Sequence, residues 1–255
     1  MRLQEIIPNL WIIDATSAHV QTRAALVMGE QRAVVWDSLT RPEDIAPLVE
    51  LIGDKPYFLV YSHADWDHIW GSAGLPDGRL GVIGHSDCLR RFSDDVPRTL
   101  QRMQQADLGE WLSVRLVAPN ITFPWRLSLD LGGVTLDLHH LPGHTADCII
   151  GWIPEWGVLL GGDAIETPLP VVNNARLLGG WLAALESLQG LDRLTRAIPS
   201  HGSLAGRESL DGTVAYLRAL AGDQQFNLPD KLDDFYRETH QKNLIVVDGG
   251  LVLHE

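Results

Sequence analysis

The segment Ser62-His63-Ala64-Asp65-Trp66-Asp67-His68 constrains the fold of this chain more than any other. It sets two imidazoles and two carboxylates within six positions, directly after the apolar run Tyr57-Phe58-Leu59-Val60-Tyr61. Such a run reads as a buried strand. Ligand-type side chains at a strand end suggest a built site, because unpaired buried carboxylates are costly. Three later fragments repeat the arrangement. His144 follows Leu138–Leu141 and a Pro-Gly turn, Asp163 follows Val158-Leu159-Leu160-Gly161, and His201 follows Ala197-Ile198-Pro199. Four strand ends converging on one sheet edge would gather His63, Asp65, Asp67, His68, His144, Asp163 and His201. Loop sites on a rigid scaffold are where chemistry usually resides.

The pattern between these fragments predicts an α/β chain. Strands are expected at Leu10–Ile13, Ala24–Met28, Ala33–Asp37, Tyr57–Tyr61 and 82–84, with a polar turn over Thr16–Thr22. Ile45, Leu48, Val49 and Ile52 share one helical face after Pro42, and Gly53 is a plausible stop. Residues 86–114 are richer in Arg, Asp and Gln and helical in pattern, as an insertion over a site would be. Ile121–Leu131 and Val134–Leu141 read as paired strands across Gly132-Gly133. Cys148–Ile153 and Val158–Gly161 read as a hairpin. Helices are expected around Trp181–Leu188 and 208–221, and a closing strand at Leu244–Asp248. Strand–helix alternation runs twice, before and after about residue 130, which suggests two similar α/β halves packed sheet on sheet. No linker or repeat marks a domain boundary, so residues 1–255 are expected to form one domain.

Composition narrows the function. The formal charge of −13 disfavours a nucleic-acid backbone as a general partner. No apolar run has the length of a membrane span, and the first residues lack the pattern of a signal peptide. Two cysteines, Cys88 and Cys148, do not indicate a disulfide framework. A soluble cytoplasmic protein acting on a small molecule is the default. Nine tryptophans are mostly core, with exposed ones able to support a homodimer.

Seven ligands are too many for one tetrahedral ion but suit two ions about 3.5–4 Å apart that share a carboxylate. The set His63-x-Asp65-x-Asp67-His68, His144, Asp163, His201 resembles, in order and spacing, the metallo-β-lactamase superfamily, whose glyoxalase II-like members are hydrolases. The resemblance covers roughly residues 1–205. It implies a four-layer αββα sandwich of two mixed sheets flanked by helices, with metals at one edge. It also implies that one ion takes His63, Asp65 and His144, that the second takes Asp67, His68 and His201, and that Asp163 bridges them with a hydroxide. The family commonly has histidine at the position of Asp65. Two ions carry about +4, and three aspartates with a hydroxide remove about 4, against about +1 net with histidine. That oxygen-richer set moves preference from zinc, the family's usual metal, towards iron or manganese. It is also similar to the flavodiiron branch, whose comparable position holds glutamate.

The resemblance implies a dinuclear metal-dependent hydrolase of a small ester, thioester, lactone or phosphoester, attacking through the bridging hydroxide. Asp67 would also orient the nucleophile or carry a proton to the leaving group. A diiron redox or oxygen-binding protein and a non-catalytic metal-binding sensor are the alternatives. Among the other histidines, His85 reads as a helix start, and His139 and His140 as structural residues. His254 reads as exposed, while His19 and His240 have no assigned role. Trp66 is expected to anchor its turn above Trp70, Cys148 to be a buried small hydrophobe, and Arg90 and Arg91 to form a solvated helix face. Glu166 could border the pocket.

Overall fold

The computed structural model describes residues 1–222 and 226–250. The chain divides into two compact units, Met1–Leu138 and His139–Glu255. The first contains a seven-stranded mixed sheet whose strands lie in chain order: β1 (Arg2–Ile7), β2 (Leu10–Ser17), β3 (Val20–Met28), β4 (Ala33–Trp36), β5 (Tyr57–Val60), β6 (Gly81–His85) and β7 (Ile121–Phe123). Neighbours are antiparallel from β1 to β4 and parallel from β4 to β7. The expected Thr16–Thr22 turn is tighter than that. Ser17 pairs with Val20, leaving Ala18 and His19 as a two-residue loop with φ of 48° and 68°. Positive φ at both central residues matches the twist of a hairpin.

The parallel strands require crossovers, and helices supply them. α1 (Ala46–Ile52) buries Leu48 and Ile52 and stops at Gly53, whose φ is 54°. α2 (Trp66–Ile69) follows β5, and α3 (Ser86–Arg91), α4 (Asp95–Ala106) and α5 (Leu108–Trp111) follow β6. Their apolar faces join β2–β6 residues in one core that includes Leu26, Leu59, Tyr61, Trp70, Cys88 and Trp111.

The run 121–131 is not one strand. Pro124, which has no N–H for a ladder, ends β7 in the first sheet, and β8 (Arg126–Asp130) belongs to a second. That mixed sheet has the order β12-β11-β10-β9-β8, with β9 (Thr135–His140), β10 (Ile149–Ile153), β11 (Val158–Gly162) and β12 (Arg196–Pro199). β10 and β11 form the expected hairpin, and β11 runs parallel to β12. α6 (Leu178–Gln189), α7 (Glu208–Leu220) and α8 (Asp234–Gly249) complete the second unit, with a core built on Leu159, Trp181, Leu185, Tyr216 and Val246.

The expected closing strand at Leu244–Asp248 is instead the last turns of α8. Asp233 caps that helix by accepting from Tyr236 N–H, and Gly250 ends it in the left-handed region. Thr239, Asn243 and Val246, spaced at i, i+4 and i+7, are its buried residues. The Leu-Ile-Val-Val run has strand propensity, but packing on one helical face outweighs it.

Candidate functional site

Within the first unit, ligand-type residues sit at the C-terminal ends of neighbouring parallel strands, where open α/β sheets place their sites. Asp37 follows β4, Ser62 and His63 follow β5, and His85 ends β6. His63, Asp65, Asp67 and His68 are all buried, and each belongs to groups of side chains able to hold a metal ion.

Asp37, fully buried with φ of 59°, organises this half. Its Oδ1 accepts from Ser62 N–H at 2.7 Å, and its Oδ2 accepts from Ser62 Oγ at 2.7 Å and His68 Nδ1 at 2.9 Å. The Ser62 hydroxyl proton is thereby committed to Asp37. His63 Nδ1, 3.0 Å from Ser62 Oγ, must then be the donor of that contact. Both rings carry their proton on Nδ1 and present the Nε2 lone pair, the tautomer that such outer partners select for metal ligation. Asp37 was absent from the sequence-based candidates. The signal was an acidic residue ending an apolar run, the same sign that marked Asp163.

The spacing of the ligand atoms fits a cation. His63 Nε2 lies 3.3 Å from Asp65 Oδ2, and His68 Nε2 lies 3.6 Å from Asp67 Oδ2. In the neutral tautomer both members of each pair are acceptors, with no hydrogen between them. Ligands on a tetrahedral ion at about 2.0–2.1 Å sit about 3.3 Å apart. Thr22 Oγ1 donates to Asp67 Oδ2 at 3.1 Å and fixes that carboxylate. Asp65 is the N-cap residue of α2 but makes no capping hydrogen bond. Its Oδ1 is 2.7 Å from Arg91 Nη2. Arg91 therefore does not belong to a solvated face, as the sequence suggested. It also grips Asp95 through Nε and Nη2 at 3.0 and 2.7 Å. Arg90 is exposed and pairs with Asp87.

The second unit repeats the pattern. Gly162 pairs with Pro199 across β11 and β12, so Asp163 and His201 emerge side by side. Asp163 Oδ2 lies 3.3 Å from His201 Nε2 and 3.7 Å from His144 Nε2. All three residues are buried. His144 Nδ1 donates to Val171 O at 3.1 Å, again leaving Nε2 as the ligand atom. Asn243 of α8 holds the loop that carries this carbonyl, donating to Pro170 O and accepting from Val172 N–H, both at 2.8 Å. Trp181 ties two ligand turns together. Its Nε1 donates to Ala164 O at 3.0 Å, and its ring lies where a Cβ on Gly143 would stand. Gly202, beside His201, has φ of 77° and packs on the Thr167 backbone, so only glycine fits there.

Glu166 belongs with this half more closely than the sequence indicated. It is 2% exposed. Tyr236 Oη donates to its Oε1 at 3.0 Å, and its backbone is bonded to Thr213 Oγ1. Burial pushes its carboxyl up to about 7, with His201 and His144 opposing and Asp163 adding to the rise.

Other residues match their expected roles. His85 caps α3 by accepting from Asp87 N–H. His140 bonds to Ala146 O, and His139 is exposed on β9. His19 is exposed at its hairpin tip, and His240 contacts Tyr216 Oη at 3.0 Å. His254 lies outside the described residues. Trp66 packs against Trp70 and Trp111 at centroid distances of 5.7 and 5.8 Å and so anchors its turn. Cys148 is buried, its thiol pushed up by desolvation, which suits packing rather than nucleophilic attack.

The sequence model of the family described as "Metallo-beta-lactamase superfamily" matches residues 19–201. The chain belongs to the metallo-β-lactamase superfamily. Solved structures share its fold. FIM-1 from Pseudomonas aeruginosa, a metallo-β-lactamase in mono-zinc form, has a TM-score of 0.63 at 22% identity, covering 88% of this chain and 96% of its own. A metallo-β-lactamase family protein from Thermus thermophilus gives 0.67 at 18% identity, covering 86% and 82%. The sec-alkylsulfatase Pisa1 from Pseudomonas sp. gives 0.67 at 22% identity, covering 86% of this chain and 41% of its own. At these identities the likeness establishes the fold, two mixed sheets flanked by helices. An uncharacterised protein of Mycobacterium leprae (strain TN) is 33% identical over 81 residues, 29% of this chain. That match spans only 36% of the relative's own length. Superfamily membership and the buried His/Asp clusters indicate a metal-binding protein of hydrolase type. Among the described residues, no helix is long and apolar enough to cross a membrane.

Proposed function

We propose that this protein is a dinuclear metal-dependent hydrolase of a small ester, thioester, lactone or phosphoester, acting in the cytoplasm. The reading treats residues 1–255 as one domain, with 86–114 as an insertion. His63, Asp65 and His144 would hold one ion, Asp67, His68 and His201 the second, and Asp163 both, with zinc as the first candidate metal. One observation carries it: in each unit, imidazole Nε2 atoms face carboxylate oxygens at 3.3–3.7 Å, while the Nδ1 atoms of His63, His68 and His144 are engaged elsewhere. Facing acceptors repel unless a cation lies between them.

When bound, such ions polarise the scissile group and make a water acidic enough to ionise near neutral pH. The chain's own residues do the rest. Asp37, Ser62 and Val171 hold three imidazoles in the ligating tautomer. Thr22 fixes Asp67, which in this reading would orient the nucleophile or carry a proton to the leaving group.

Elemental analysis of protein purified without added metal, followed by an ester, lactone and phosphoester screen, tests this reading. A secondary alkyl sulfate belongs in that screen because of the likeness to Pisa1. Asp163→Ala should lose metal and turnover together, and unchanged hydrolysis in that variant rules the mechanism out. Asp65 favours a second reading, a diiron redox protein. Bound iron, a visible absorbance change on reduction and no turnover on the screen would select it.

A further inference from the structure

The resemblance set out above puts Asp65 at a position where the family commonly has histidine, and its two oxygens have different neighbours. Oδ2 faces His63 Nε2 at 3.3 Å, whereas Oδ1 is gripped by Arg91 Nη2 at 2.7 Å. The contact is an ion pair close enough for strong attraction even without hydrogen-bond alignment. Asp65 is 5% exposed, so the contact is sheltered from water. Arg91 is itself braced from the far side by Asp95, one helical turn on, through two nitrogens. The guanidinium cannot swing away without losing both carboxylates.

This arrangement alters two properties of Asp65 as a donor. A carboxylate able to turn can bind an ion through both oxygens, a mode suited to larger cations with six or more ligands. With Oδ1 committed to Arg91, only Oδ2 is presented beside His63. The guanidinium also cancels the negative charge that the aspartate adds relative to imidazole, while the partner carboxylate of Asp95, a quarter exposed, is screened by water.

We propose that Arg91 is a positioning residue that makes Asp65 a one-oxygen donor of no net charge. The Asp65–Arg91 pair thus replaces one imidazole and keeps the site selective for zinc over manganese. The inference rests on the dinuclear reading above and specifies its metal. It removes the reason, seen in the sequence alone, for expecting Asp65 to draw the site towards iron or manganese.

Chelator-competition titration of zinc and of manganese on the full chain tests it, with wild type, Arg91→Met and Arg91→Lys compared. Methionine keeps the apolar stem and removes the donors. Lost outer partners of metal ligands typically cost about 10–100-fold in affinity. The expected result is a fall of about tenfold or more in the zinc-to-manganese affinity ratio for Arg91→Met, with partial recovery in Arg91→Lys. An unchanged ratio overturns the proposal, whether both affinities hold or both fall equally, because a merely structural role would weaken both ions alike. If Arg91→Met does not fold, the Arg91→Lys ratio decides, and a wild-type value there overturns the proposal. The Asp163→Ala variant keeps the two readings apart. Metal loss there with an unchanged Arg91→Met ratio refutes only the role of Arg91, whereas full metal retention there refutes the dinuclear reading.

Discussion

The two units assemble their ligands in opposite ways. In the first, His63, Asp65, Asp67 and His68 come from one continuous strand–turn–helix segment, and Asp37, directly after the adjacent strand, sets His68 directly and His63 through Ser62. In the second, His144, Asp163 and His201 come from three separate loops, held by Trp181 of α6 and Asn243 and Tyr236 of α8. A contiguous half-site needs only a local turn and one partner strand. A dispersed half-site depends on helices far along the chain, so its geometry should fail first when packing is disturbed.

Trp181→Ala is the strongest challenge to that contrast. Deleting a fully buried tryptophan costs about 3–5 kcal/mol. Thermal unfolding should show that loss, and NMR of the histidine rings should show His144 disturbed more than His63. Equal disturbance of both rings would erase the difference between the halves.

Glu166→Gln probes the buried acid of the dispersed half. Its folded pKa is raised from 4.5 to about 7, so the native state holds the extra proton between those values. Stability of the metal-free protein therefore falls as pH rises through that window, and the penalty is complete above it. The variant should gain on wild type between about pH 5 and pH 8, by at most about 3 kcal/mol. Denaturant melts at both pH values check this, and a pH-independent difference would refute the placement of a buried carboxyl at Glu166.

Asp37→Asn tests the contiguous half. The amide has one acceptor oxygen and cannot take all three of the bonds from Ser62 N–H, the Ser62 hydroxyl and His68 Nδ1, and zinc affinity should fall about 10–100-fold by chelator competition. The smallest effect concerns α8. Ile245 is 61% exposed on a helix whose buried face carries Val246. Ile245→Glu should stay within about 0.5 kcal/mol of wild type in denaturant melts. A large loss would restore a buried strand there.

The contrast also explains what the sequence made legible. The apolar run before Ser62 and the four ligand-type side chains after it mark the contiguous half, and strand-end logic singles out His144, Asp163 and His201. Residues whose meaning depends on a distant partner stayed hidden. Arg91 looked like a solvated helix residue because the i+4 pairing with Asp95 is local, whereas the contact with Asp65 needs the folded crossover. Glu166 offered only proximity to Asp163, since its burial comes from α7 and α8. The Leu244–Asp248 run reads as a strand because β-branched residues mimic one when the packing face is unknown. Pro124 is a visible break, but its consequence, a change of sheet, depends on partner strands that the local sequence does not name.

The central proposal is that residues of both units would serve the same pair of ions. The direct test is the metal-to-protein ratio after zinc saturation and dialysis, for wild type, His68→Ala, His201→Ala and the double variant. The account predicts about two ions per wild-type chain, one in each single variant and still one in the double variant, because the two histidines, though from different units, would serve one ion. A wild-type ratio near zero, full retention in both single variants, or loss of both ions in the double variant would contradict it.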